Sequence, residues 1–168
     1  MTVPKPASVA DHEASHAVVW WWWWASQPEA HDPGTGREIW RITMEPAKGE
    51  EGHFRPNWPI FGNETKDERL CLEHVLAMAL AGPISDELRN EPRSHTTIDE
   101  KYAKSVASQR LPSLAEATMF LEELRPRVRL FLERTEVRAM VKGLAEALLE
   151  RKTLGHDEAV AAMGDSPT

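Results

Sequence analysis

The sequence has little cysteine and no long apolar run. Its 168 residues include one cysteine, Cys71, which excludes an internal disulfide and any zinc site built from several cysteines. Cys71 lies between two leucines and is predicted to be a small buried residue rather than a catalytic thiol. The longest apolar run, residues 17–25, is far shorter than the ~20 residues that span a bilayer. The N-terminus also lacks a signal-peptide pattern, so we expect a cytoplasmic protein.

Positive charge is scarce as well. The chain has 20 basic and 27 acidic residues, a net charge of −7, and no cluster of lysines and arginines. Nucleic acids and anionic membranes are bound by such clusters, so we expect neither as a partner. The 41% apolar and 28% charged residues are typical of a globular protein. The length predicts one domain over residues 1–168, with flexible ends at about 1–6 and 164–168.

Periodicity and turn-forming residues predict a mainly α fold with a small β-sheet. Alternation over residues 38–45 predicts a strand, and residues 52–55 predict a second, short edge strand. Gly82-Pro83 is predicted to interrupt the second helix, and Gly155 to precede a short closing helix. The form of a capping box, Ser113 to Glu116, marks a helix start. Helices are predicted over about residues 7–25, 64–89, from 97 onward, 113–126 and 127–153, the last with a break near Thr135.

The motif His12-Glu13-Ala14-Ser15-His16 carries the clearest chemistry. Residues four apart on a helix lie one turn above each other, so His12 and His16 can point both imidazoles at one ion. Glu13 lies to the side, where it can take a proton from a zinc-bound water whose pKa the metal lowers toward ~7. The alternative is an apolar core helix that carries two histidines by chance. The small residues around the histidines favour the zinc site.

A catalytic zinc ion needs a third protein ligand and an open position. The sequence offers several side chains with suitable donor atoms, and their spacing does not select among them. The candidates are His53, Glu73, His74, Asp86, Glu87, His95 and Asp99.

Five consecutive tryptophans, residues 20–24, continue the helix of the motif. Successive residues are ~100° apart around a helix, so the five rings surround it. Trp20, Trp23 and Trp24 follow the side of His16 and are predicted to face the core. The remaining rings must meet another element, another chain or solvent. A large exposed apolar surface is costly, so a second copy of the chain or a separate partner protein is the alternative to core packing.

Four segments resemble the peptidase domain of the FtsH family of AAA+ zinc metalloproteases. Residues 12–19 are similar to the family's His-Glu-Ala-Gly-His-Ala motif, with Ser15 at the central glycine. Residues 42–46 and then Gly52 resemble its strand and the proline that follows. Residues 79–87 resemble its Ala-Gly-Arg-Ala-Ala-Glu-Glu helix, and residues 144–154 its last helix. The segments occur in the family's order and span most of the chain.

The resemblance implies a set of site residues. In the family an aspartate at the start of the next helix is the third ligand, which corresponds here to Asp99, with His95 one turn earlier as the alternative. His12 and His16 are then the other two zinc ligands and Glu13 the general base. Glu87 is the candidate for the carboxylate that accepts the outer N–H of a ligating histidine.

These residues together predict a zinc metalloendopeptidase that hydrolyses protein or peptide substrates. The chain has no Gly-x-x-x-x-Gly-Lys-Ser/Thr loop, so no ATP binding of that kind and no ATP-driven unfolding are expected. Its substrates would therefore be unfolded or flexible proteins. The alternative hypothesis is a catalytically silent domain that keeps the fold for binding or assembly.

Overall fold

The computed structural model describes residues 6–23, 39–45, 53–56, 68–90 and 96–164, and these ranges are mainly α-helical with one small β-sheet. The predicted fold class is confirmed. None of the helices in these ranges is long and apolar enough to cross a membrane. In chain order the elements are α1 (Pro6–Trp22), β1 (Ile39–Thr43), β2 (His53–Pro56), α2 (Glu68–Leu88), α3 (Thr96–Arg110), α4 (Leu114–Glu133), α5 (Thr135–Arg151), β3 (Thr153–Leu154) and α6 (His156–Met163).

The sheet has three antiparallel strands in the order β2-β1-β3. Both predicted strands are present, and β1 is the central one. Ile42 in β1 is opposite Leu154 in β3, and both side chains are fully buried. β3 was not predicted, because two residues are too short to show any alternation.

The helix of the motif, α1, lies at the centre of the domain and packs against α2 and α5. Its small residues Ala10, Ala14 and Ala17 are fully buried, which lets the neighbouring helices come close. Trp20 and Trp23 are buried as predicted, and Trp21 contacts the ring of His156 in α6. Trp24 lies outside the described residues. The histidines are therefore carried by a helix that is buried along most of its length.

The predicted interruption of the second helix at Gly82-Pro83 is wrong. Helix α2 continues through both residues to Leu88. Proline removes one backbone hydrogen bond, here the one to the carbonyl of Ala79. Because Ala79, Gly82 and Ile84 lie in a fully packed environment, the burial of this helix outweighs the lost bond.

The predicted helix boundary at residues 125–127 is also wrong, whereas the break near Thr135 is confirmed. Helix α4 runs through Pro126 to Glu133, and α5 starts at Thr135 after the extended residue Arg134. Leu124, Val128 and Phe131 share a buried face of α4, so packing on both sides of Pro126 keeps the helix continuous.

The half of the predicted capping box in which Ser113 caps the start of α4 is present, and its loss is expected to destabilise the fold. Ser113 Oγ accepts a hydrogen bond from the backbone N–H of Glu116. Ser113→Ala leaves that N–H without its cap and should lower the free energy of unfolding by about 1 kcal/mol, measured by urea denaturation.

Thr118→Ala is the matched control for the cap. Thr118 is exposed in the second turn of α4, and its hydroxyl donates to the carbonyl of Leu114 in the preceding turn. Its removal should change the free energy of unfolding by less than about 0.5 kcal/mol. Equal losses in the two variants would contradict the role given to Ser113.

Candidate metal centre

Helix α1 points His12 and His16 to the same place. The side chains are one turn apart, as the spacing in the motif predicts, and both are buried. The two Nε2 atoms lie 3.1 Å apart. The rings meet edge to face, with their centroids 4.7 Å apart. The motif therefore forms a pair of converging ring nitrogens and not two unrelated core histidines.

Asp99, in the first turn of α3, supplies the third converging atom. Its Oδ2 lies 3.0 Å from Nε2 of His12 and 3.6 Å from Nε2 of His16. Ligands about 2.0 Å from a tetrahedral zinc ion are separated by roughly 3.3 Å, so the three observed separations bracket the value that zinc requires. Two imidazoles and one carboxylate are also a donor set that suits zinc better than calcium or magnesium. The residues fit the ion.

The Nδ1 atoms of both imidazoles, which point away from the cluster, are hydrogen-bonded to acceptors outside it. Nδ1 of His12 donates to Oδ2 of Asp86 at 2.8 Å. Nδ1 of His16 lies 2.7 Å from the carbonyl oxygen of Met78, which can only accept. A neutral histidine has one N–H, so in both neutral rings Nε2 would carry a lone pair. Two lone pairs and the Asp99 carboxylate then face one another, an arrangement that requires a cation.

In the metal-free chain, protons supply that positive charge. Burial of the His12 imidazole acts to lower its pKa, but hydrogen bonds to Asp86 and Asp99 and the charge of Glu13 outweigh burial and raise the pKa to about 10. Burial opposes the charge on His16 in the same way, and attraction to Asp99 raises its pKa. Because zinc binds neutral histidine, zinc and protons compete for the site.

The pKa of Asp99 is shifted in the opposite direction. Burial of the carboxyl acts to raise its pKa, yet the positive charge of His16 and the hydrogen bond with His12 hold the pKa well below its usual range. Asp99 is thus an anion at neutral pH, as a metal ligand must be. Its side chain is 26% exposed, against 5% and 6% for the side chains of His12 and His16, so the cluster is accessible from its side.

Gly82 explains how α2 can lie against the two rings. A Cβ atom at this position would be 2.5 Å from Nε2 of His12 and 2.5 Å from Nε2 of His16. No side chain can occupy that space without moving the rings. The Gly82-Pro83 pair that looked like a helix break is therefore the turn of α2 that contacts the converging atoms.

Ion pairs hold α3 in position to present Asp99. Glu100, the next residue, binds Nη1 of Arg125 in α4 at 3.3 Å. Arg125 also binds Glu87 in α2, and Arg129 binds the other oxygen of Glu87. The three helices α2, α3 and α4 are thereby joined next to the cluster.

Among the contacts described for residues 6–23, 39–45, 53–56, 68–90 and 96–164, Glu87 is not the carboxylate that meets a ligating histidine. The carboxylate that binds Nδ1 of His12 belongs to Asp86, and Glu87 pairs with Arg125 and Arg129. Neighbouring residues on a helix point about 100° apart, so only one of the two acids can face α1. Nothing in the local sequence gives the rotation of α2 about its axis.

Glu13 is buried beside the cluster. Its side chain is 6% exposed in α1, and its negative charge raises the pKa of both His12 and His16. The residue named as the general base therefore lies within electrostatic reach of the converging atoms. Ser15, which stands at the family's glycine, donates its hydroxyl to the carbonyl of Asp11 within the same helix.

The remaining candidate ligands lie away from the cluster or outside the described residues. Glu73 binds Trp23 and Arg127, and His74 is fully buried against the ring of Trp20. His95 and the side chain of His53 lie outside the described part of the chain. Among the side chains the structure describes, only His12, His16 and Asp99 form a group that can hold a metal ion.

Comparison with known proteins does not assign this chain to a family. No family model matches this chain, and a search of curated proteins finds no significant match.

The raised pKa of His12 predicts that the metal-free protein becomes less stable as the pH rises. The pKa is about 10 in the folded chain and 6.5 in a free side chain, so folding favours the protonated ring. The resulting stabilisation is complete below about pH 6.5 and is lost as the pH approaches about 10. The thermal midpoint of the chelator-treated protein should fall across this window.

The variant His12→Gln removes the titrating ring and serves as the control. Its thermal midpoint should change less between about pH 6.5 and about pH 10 than that of the wild type. A wild-type midpoint that rises over the same window would refute the protonated state of His12.

Gly82→Ala tests the close approach of α2. The added methyl would occupy space that the two Nε2 atoms need, so zinc affinity should fall about 10- to 100-fold, the loss seen when the support of a ligand is disturbed. Affinity is measured by competition with a chromophoric chelator.

Gly155→Ala is the matched control, because a Cβ there meets only the end of the Glu158 side chain at 3.9 Å. Unchanged zinc affinity in Gly82→Ala would contradict this packing.

Proposed function

We propose that this protein is a zinc-dependent endopeptidase that hydrolyses peptide bonds in unfolded or flexible proteins. The observation that carries the proposal is the convergence of three acceptor atoms, from His12, His16 and Asp99, whose mutual repulsion requires a cation. The buried carboxylate of Glu13 beside them supports a hydrolytic role. A site that only bound a metal ion would have no need of a base there.

His12, His16 and Asp99 would hold the zinc ion, one ligand from each of two turns of α1 and one from the start of α3. The bound ion would supply a Lewis acid that polarises a substrate carbonyl and makes water acidic near neutral pH. The three ligands together carry one negative charge when both histidines are neutral. A divalent ion held by them would therefore keep a net positive charge.

Glu13 is the proposed general base. Its carboxylate takes a proton from the attacking water as the water oxygen bonds to the peptide carbonyl carbon. It then gives that proton to the leaving amine as the C–N bond breaks. Its burial keeps bulk water from competing for the proton, and its place next to His12 in the sequence fixes it beside the reacting atoms.

The resemblance to the FtsH peptidase domain is consistent with this assignment but does not carry it, since no family model matches the chain. The family's motifs follow one another in the same order as the helices α1, α2 and α3, which contribute residues to the cluster or contact it. Flexible substrates are part of the proposal because the sequence lacks a nucleotide-binding loop for ATP-driven unfolding. A cytoplasmic location belongs to the proposal on sequence grounds alone.

The variant Glu13→Gln tests the mechanism. It keeps the size of the side chain but removes the base, so cleavage of casein by the zinc-loaded chain should fall about 10²- to 10⁴-fold while zinc binding is kept. Glu146→Gln changes an exposed glutamate of α5 and should cleave as the wild type does.

The outcomes separate the hypotheses. Loss of cleavage in Glu13→Gln alone supports the peptidase. Equal cleavage in both variants would show that Glu13 is not the base. If the zinc-loaded wild type cuts neither casein nor a library of flexible peptides, the proposal is wrong and the binding or assembly domain replaces it.

A further inference from the structure

The carboxylate that holds His12 is itself held by an arginine. Asp86 is buried at the end of α2, and its two oxygens have different partners. Oδ2 accepts from Nδ1 of His12 at 2.8 Å, and Oδ1 accepts from Nη2 of Arg89 at 2.9 Å. Both sides of the carboxylate are thus occupied, which leaves it no freedom to turn away from the histidine.

Arg89 also binds the helix that carries the histidine. Its Nη1 pairs with the carboxylate of Asp11, the residue before His12, and its Nη2 donates to the carbonyl of Ser8 at 3.2 Å. Arg89 comes directly after the last residue of α2, and Asn90 turns the chain with a φ of 54°. A single guanidinium therefore connects the end of α2 to the first turns of α1.

We propose that Arg89 is a positioning residue of the metal centre and fixes the ring of His12 through Asp86. The inference rests on the proposed metal site, but it concerns a residue that does not touch the metal ligands. An arginine suits the position because its planar fork can serve several acceptors at once, in this case Asp86, Asp11 and Ser8. A lysine has the charge without the fork.

Removal of the guanidinium has a specific consequence for His12. A buried carboxylate without its cation is unfavourable, so Asp86 is expected to rotate away from its place beside His12. That rotation weakens its hydrogen bond to Nδ1 and frees the imidazole to turn. Loss of such outer contacts commonly costs a metal site 10- to 100-fold in affinity.

The position also permits a clean substitution. The Arg89 side chain is 25% exposed and lies in the wall of a cavity of about 360 Å³, together with Asp11, Ser15 and Arg138. Arg138 lines the same cavity from α5, and its side chain is exposed. Arg138→Met is therefore a matched control that removes an equal charge from the same cavity without touching Asp86.

The first measurement is zinc affinity by chelator competition. Arg89→Met should bind zinc about 10- to 100-fold more weakly than the wild type, Arg138→Met should bind it equally well, and Arg89→Lys should recover only part of the loss. Thermal denaturation of each variant checks that it is folded. Equal affinity in Arg89→Met and wild type would overturn the proposal.

A double-mutant cycle shows whether Arg89 acts through Asp86. In the Asp86→Asn background, Arg89→Met should cause no further loss of zinc affinity, because the carboxylate that transmits its effect is gone. A loss of the same size in both backgrounds would mean that Arg89 acts only by holding α1 and α2 together, which overturns the positioning role.

A second measurement separates this inference from the proposed function. In the metal-free chain, nitrogen and proton NMR of the His12 ring reports the hydrogen bond from Nδ1 to Asp86 without zinc or substrate. Arg89→Met should shift the Nδ1–H resonance and Arg138→Met should not. A wild type that binds no zinc would overturn the metal centre, while an unchanged resonance in Arg89→Met would overturn the positioning role by itself.

Discussion

The convergence of three acceptor atoms is the constraint on which this protein's centre depends. Three atoms face one another in a largely buried space: Nε2 of His12, Nε2 of His16 and Oδ2 of Asp99. The Nδ1 atoms of both histidines are already hydrogen-bonded, to Asp86 and to the carbonyl of Met78. Such an arrangement is unstable without positive charge. Protons supply it in the metal-free chain, and for that reason the pKa of both histidines is raised. A metal cation would supply it without protonating either ring.

Keeping these atoms together requires three helices to hold one mutual orientation. Arg89 connects α1 with α2, and Arg125 connects α2 with α3 through Glu87 and Glu100. Partly exposed ion pairs of this kind contribute little to stability. Their importance here is directional, because a small rotation of any of the three helices would move one of the converging atoms out of place.

The same helix serves both packing and chemistry. Small side chains of α1 allow α2 and α5 to lie close, and Gly82 allows the backbone of α2 to meet the histidine rings. Trp20 and Trp23 then fill the core beyond His16, where Trp23 also binds Glu73. A polar cluster can be enclosed in this way because its outer hydrogen bonds are satisfied by Asp86 and Met78.

The sequence by itself determined the features that depend on helix geometry. The spacing of four places His12 and His16 on one side of a helix, and the capping box marks the start of α4 wherever the helix packs. The choice of Asp99 came from the resemblance to a known family and not from spacing. The sequence predicts Glu87 as the carboxylate beside the histidine, and the structure has Asp86 there, because no local pattern gives the rotation of α2.

Only the tertiary structure decided the rest. His12 meets Asp86 and Asp99 across 74 and 87 residues of chain, and such contacts depend on how whole helices pack. For the same reason Gly82-Pro83 and Pro126 lie inside continuous helices, although local propensity predicts breaks there. The stabilisation that a helix gains from burying one face is larger than the loss from one missing backbone hydrogen bond. Burial depends on the whole fold, and a local segment of sequence does not reveal it.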